Sequence, residues 1–136
     1  MQTSRLLFII SLFGVLYSCE NHRIMDYITE YSFTDVSQDT LVIDMRNLLD
    51  VDFNSYFIIC GPACSEDYSV FLGFDYKGRC IQDDQFAILF CRDTKVVYSE
   101  TFMARRLGWC DDMSGKYDSA IPLRIIQVDD GLALVK

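Results

Sequence analysis

The run Tyr56-Phe57-Ile58-Ile59-Cys60, closed by Gly61-Pro62, narrows the folds open to this chain more than any other segment. Uniform apolarity with aromatic and β-branched side chains, ended by a Gly-Pro stop, specifies a central strand. Phe86–Cys91 and Val96–Thr101 are two more apolar-rich runs, separated by the turn-like Arg92-Asp93-Thr94-Lys95, and read as a hairpin. Leu123–Val128 and Leu132–Val135, on either side of Asp129-Asp130-Gly131, give a second hairpin. Two helices are expected. One covers 38–49, capped by Ser37, with Leu41, Val42, Met45, Leu48 and Leu49 on one face. The other is short, capped by Ser65, with Glu66 and Asp67 in its first turn and Gly73 as its stop after Leu72. Asp75–Gln85 reads as loop or irregular edge, and Ala104–Ser119 as a long surface loop that folds back to bury Trp109. Hairpins in this order predict an α+β domain: a mainly antiparallel sheet of about five strands with one or two helices packed on one face.

The N-terminus carries an address. Arg5 precedes an apolar run, Leu6–Leu16, that is too short for a finished membrane span but suits a signal core. It ends in Leu16-Tyr17-Ser18-Cys19, which resembles the lipobox of bacterial lipoproteins, in which the Cys receives diacylglycerol and becomes the new N-terminus. The resemblance implies a signal peptide over 1–18, lipid attachment at Cys19, and export to the cell envelope. Acyl chains contribute roughly 0.8 kcal/mol per buried methylene, so more than one makes a stable anchor without a transmembrane helix. Residues 19–35 are polar without clear period and are read as a tether, leaving 36–136 as a single globular domain.

Charge and histidine content limit the function classes. The chain has 12 Lys and Arg against 20 Asp and Glu, a formal charge of −8, which becomes −9 once Arg5 leaves with the signal. With no basic cluster longer than Arg105-Arg106, nucleic acid is not an expected partner. That pair itself reads as a solvated face. The acidic pairs Asp83-Asp84, Asp111-Asp112 and Asp129-Asp130 lack the EF-hand spacing and read as solvated loops. The sole histidine, His22, falls in the expected tether, so neither a Ser-His-Asp nor a Cys-His arrangement is available. A non-enzymatic domain without metal or cofactor is expected, joined to the membrane by its lipid and acting on an envelope protein partner.

Besides Cys19, the cysteines are Cys60, Cys64, Cys80, Cys91 and Cys110. In an oxidising compartment these five allow at most two bridges and leave one thiol, with connectivity open. Cys60-Gly61-Pro62-Ala63-Cys64 lies at a strand end before a helix, where thioredoxin-like proteins carry C-G-P-C. A helix N-terminus stabilises a thiolate, so a thiol–disulfide oxidoreductase with Cys60 as nucleophile and Cys64 as resolving thiol is the alternative. The inserted residue, however, changes the ring such a pair must close.

A wider resemblance covers most of the chain after Cys19. Phe53-Asn54-Ser55-Tyr56-Phe57-Ile58-Ile59-Cys60-Gly61-Pro62, then Leu72-Gly73-Phe74, then Ala87–Tyr98 with its Lys95-Val96-Val97, are similar to successive blocks of a family of small lipoproteins from Gram-negative gut bacteria. Its first block runs W-D-x-x-Y-I-x-G-P-Y, and Phe53-Asn54 stand here in place of Trp-Asp. The resemblance implies packing and turn elements and brings no activity with it.

Overall fold

A computed structural model describes residues 22–31, 40–108, 111–128 and 131–136. In chain order these form α1 (Arg23–Glu30), β1 (Thr40–Ile43), α2 (Met45–Leu48), β2 (Ser55–Cys60), α3 (Ser65–Leu72), β3 (Gln85–Arg92), β4 (Lys95–Met103), β5 (Leu107–Gly108), a 3-10 turn (Asp111–Met113), β6 (Gly115–Asp118), β7 (Leu123–Val128) and β8 (Gly131–Val135). The fold is predominantly β, with eight strands in two four-stranded sheets rather than about five in one. The orders are β4-β3-β2-β6 and β1-β7-β8-β5, and pairing is antiparallel throughout except for the two-residue contact of β5 with β8.

The β4-β3-β2-β6 sheet is the middle layer. Alternation sends Tyr56, Ile58, Phe86, Ile88, Phe90 and Phe102 into one buried cluster, shared with Leu41, Ile43, Leu123, Ile125 and Leu134 of the other sheet and with Ile24 and Ile28 of α1. The opposite face sends Phe57, Ile59, Ala87, Leu89 and Cys91 against Tyr68 and Leu72 of α3. Two covered faces explain why β2 and β3 read as unbroken apolar runs. The helices therefore lie on both faces of this sheet, not on one. Aromatic contacts stiffen the first cluster: Phe90 has Phe53, Tyr56 and Tyr98 at ring-centroid distances of 5.0, 5.6 and 5.7 Å.

Three expectations need correction. Of the segment read as a helix from 38 to 49, the described part, from residue 40 on, is a strand followed by a single helical turn. Leu41 and Ile43 are buried while Val42 between them is 55% exposed, a period of two. Asp44 then accepts from the Arg46 N–H and starts α2. The long loop from 104 to 119 contains β5, the 3-10 turn and β6, with Leu107 and Met113 buried in the first cluster. Within the described part of the tether, 22–31, residues Arg23–Glu30 form a helix with Ile24 and Ile28 in that same cluster. Residues 1–21, and with them the signal and Cys19, lie outside the described residues, as do 32–39 with the expected Ser37 cap, 109–110 and 129–130.

α3 forms as expected, with one adjustment. Its N-cap is Cys64, whose N–H donates to Asp67 Oδ2 at 2.8 Å, while Ser65 is the first helical residue. Gly73 closes it at φ +79°, donating its N–H to Ser69 O. Asn54, in the block similar to the lipoprotein family, pins the β3–β4 turn: its side chain donates to Asp93 Oδ1 at 2.8 Å and accepts from the Asp93 N–H at 3.1 Å. That bracket holds Asp93 at its positive φ of 52°.

Candidate functional site

An open cleft of about 600 Å³ lies where β4, the loop before β3 and the N-terminus of α1 meet. Ser99, Thr101 and Met103 alternate along β4 and form one side. The loop residues Arg79, Cys80, Ile81 and Gln82 form the opposite side, and His22 and Glu100 close the end.

The loop is fixed from three directions. Cys80 is bonded to Cys64, tying it to the start of α3 across 16 residues. Ile81 and Ala63 exchange backbone hydrogen bonds at 2.8 and 3.1 Å. Gly61 donates to Gln85 O at 2.9 Å and lies so close that a Cβ there would be 1.8 Å from Gln82 O. Only glycine allows that approach. Gln85 is committed as well, since its Oε1 accepts from the Gln82 N–H and its Nε2 donates to Met103 Sδ.

Glu100 is the most unusual residue of the site. It is 3% exposed, on the apolar face of β4, yet fully bonded: Oε2 accepts from the Ile24 N–H at 3.0 Å and Oε1 from the Met25 N–H at 2.9 Å. Tyr98 donates its hydroxyl to Oε2 at 3.0 Å and accepts from the Arg23 N–H at 3.3 Å. The carboxylate thus caps a helix from 75 residues away, because His22 at the N-cap makes no side-chain cap. Burial pushes the Glu100 carboxyl above its ordinary range, and the Met25 and Ile24 N–H groups, the Tyr98 hydroxyl and the nearby His22 pull it partly back. Burial and the Glu100 charge also raise Tyr98, to about 12.

The cysteines expected as a redox pair are separated in bonding. Cys64 is bonded to Cys80 and not to Cys60. Cys60 is disulfide-bonded too, and its Sγ lies 3.0 Å from Ser114 Oγ. Cys91 is a free thiol sealed between β3 and α3, with burial raising it to about 11. Such a thiol is inert at neutral pH. Cys110, like Cys19, lies outside the described residues. Arg105 and Arg106 are exposed in the turn after β4, away from the cleft lining; Asp83, Asp84 and Asp112 are exposed. Trp109 and Asp129-Asp130 are not among the described residues. Among those that are, no group of His, Cys, Asp and Glu is placed to hold a metal ion, and no helix is long and apolar enough to cross a membrane.

Sequence reasoning placed His22 in a tether and passed over Glu100. One signal was readable: Glu100 shares the apolar side of its strand with Tyr98 and Phe102, where a carboxylate needs dedicated donors. Comparison with family models, curated proteins and solved structures yields no match.

Proposed function

We propose that this is an exported lipoprotein, anchored through Cys19 in the cell envelope, whose β-rich domain binds a partner at the β4 cleft rather than catalysing a reaction. The outer membrane, on its periplasmic or surface face, is the proposed site, and small envelope lipoproteins are the proposed relatives. The observation that carries the reading is the exposed Cys64–Cys80 bridge that shapes the cleft wall, because such bridges persist in oxidising compartments. It agrees with the lipobox-like Leu16–Cys19 and its apolar leader. Binding is favoured over chemistry because the reactive groups are committed. Cys64 is in a bridge, and Glu100 spends its oxygens on α1 and Tyr98.

The test pairs two substitutions in the full chain. Cys19→Ala should move the protein from the membrane fraction to the soluble envelope fraction. Thr101→Arg, at an exposed position of β4, should fill the cleft without disturbing the core and abolish cross-links to an envelope partner that the wild type forms. Equal partitioning of Cys19→Ala would remove the anchor, and cross-links unchanged by Thr101→Arg would remove the cleft as the binding surface.

A further inference from the structure

β4 ends the order β4-β3-β2-β6, so among the described residues no strand pairs with its second side. Which groups that side carries follows from the ladder. Ala104 donates its N–H to Asp84 O at 2.7 Å, and antiparallel pairs alternate between bonded and non-bonded along the strands. Phe102, Glu100 and Tyr98 therefore spend their backbone groups on β3, while those of Met103, Thr101 and Ser99 turn outward. The other side of β3 agrees: Gly61 donates to Gln85 O, so residues 85, 87 and 89 serve β2 and residues 86, 88 and 90 serve β4. The Met103 carbonyl is taken by the Arg106 N–H at 2.9 Å. Ser99 and Thr101 each keep an outward donor and acceptor, and no hydrogen bond from the described residues reaches them.

This open ladder coincides with the cleft. Ser99, Thr101 and Met103 line it from one face of β4, and Glu100 and His22 from the other, so the cleft straddles the strand's edge. Natural edges are blunted by charge, proline, bulges or shortness. Here those devices lie elsewhere: Lys95 and the register slip that leaves Val97 unpaired guard the start of β4, β5 has two residues, and β6 carries Lys116. From Tyr98 to Met103 the one charge is Glu100, which points inward and is already met by α1 and Tyr98. We infer that the β4 cleft takes an extended segment of another polypeptide as an added strand, with Ser99 and Thr101 each exchanging a pair of backbone hydrogen bonds with it. The inference deepens the binding reading above and rests on it. The chemistry selects the occupant, because alternating donors and acceptors match an extended backbone, whereas a helix spends its own backbone groups internally. A second copy is the weaker occupant, since each copy brings a formal charge of −8. The loop wall from Arg79 to Gln82, fixed by the Cys64–Cys80 bond, lies beside the cleft and supplies selection among guest side chains.

The probes are random linear peptides selected on the full chain in detergent micelles and depleted on Thr101→Arg. Each is remade with single backbone N-methyl groups, and amide exchange along β4 is read by nuclear magnetic resonance. In the free protein the Ser99 and Thr101 amides should exchange about tenfold or more faster than those of Tyr98, Glu100 and Phe102. Bound probe should slow Ser99 and Thr101 about tenfold or more and leave the other three unchanged. N-methylation should weaken binding about tenfold at alternate probe positions and be tolerated between them. Thr101→Pro removes an outward N–H and no ladder bond, so it should lose the probes while Cys91 stays shielded from alkylation, the sign of an intact fold. Should that variant unfold, the N-methyl pattern decides alone. A library without binders, or binders indifferent to the N-methyl pattern, overturns the added strand. Slow Ser99 and Thr101 amides in the free monomer would show an edge already covered, and protection that rises with protein concentration alone would assign it to a second copy; either result overturns a foreign strand. If Thr101→Arg abolishes envelope cross-links and a folded Thr101→Pro leaves them, the cleft reading survives and the strand falls. If both leave them, both readings fall.

Discussion

Gly61→Ala tests the local architecture most sharply. A Cβ at this position would meet Gln82 O at 1.8 Å, Gln82 C at 2.8 Å and Gln85 O at 2.9 Å, all backbone atoms that cannot swing aside. Relief requires moving the 82–85 turn by an ångström or more, which breaks the Gly61–Gln85 hydrogen bond and loosens the Ala63–Ile81 bridge. Overpacking costs about 1–3 kcal/mol and each lost hydrogen bond about 1 kcal/mol, so the substitution should destabilise by about 3 kcal/mol. At roughly 4 °C per kcal/mol for a domain of this size, Tm should fall by about 12 °C. Gly73→Ala is the control, because its Cβ meets nothing within 4 Å and only the positive φ of +79° is strained, worth about 1 kcal/mol. Both are measured by near-ultraviolet circular dichroism on the oxidised chain from residue 20. If Gly61→Ala melts within about 3 °C of the wild type, or above Gly73→Ala, the close approach of Gly61 to the cleft wall is refuted.

Four further outcomes are expected. Phe90→Ala should cost about 3–5 kcal/mol in urea denaturation, because it removes the ring that Phe53, Tyr56 and Tyr98 share. Peptide mapping without reductant should recover a Cys64–Cys80 linkage, and Cys64→Ser with Cys80→Ser should cost up to about 3 kcal/mol for a loop of this length. In the same map Cys60 should appear in a disulfide-linked peptide, and Cys91 should resist alkylation until the protein unfolds. Glu100 sets a pH dependence with a definite sign. Its folded value lies above the ordinary 4.5, so the native state holds the proton more tightly. Its contribution to stability is therefore greatest at low pH and is lost as pH rises through the folded value. Stability of the wild type relative to Glu100→Gln should accordingly grow as pH falls from neutral towards that ordinary value, and a gap that shrinks instead would contradict the burial argument.

The two hairpins, the central strand and α3 were legible because each carries its own signal: apolar runs bounded by Gly, Pro or Asp, and a helix closed by Gly73. Whether a run is covered on one face or two is also written in β2 and β3, whose odd and even positions are both apolar. The second sheet was not legible, since β1 and β5 are short and take meaning only from β7 and β8. Val42 made the 41–49 pattern look helical, although its exposure shows that Leu41 and Ile43 were the informative pair. α1 was hidden for a stronger reason. Its cap is Glu100, a residue on the far side of the chain, and no local pattern records a helix stabilised that way. The site followed the same rule: cysteine chemistry was visible as a list, but the pairing of Cys64 with Cys80 instead of Cys60 depends on how the loop before β3 returns to α3.

The mass of the N-terminal peptide of the protein extracted from membranes of its expression host tests the proposed lipid anchor most directly. The expected peptide begins at Cys19 and is heavier than its sequence by a diacylglyceryl group, with or without a third acyl chain. A peptide beginning at Met1, or an unmodified Cys19 inside a longer N-terminus, would contradict the lipoprotein reading.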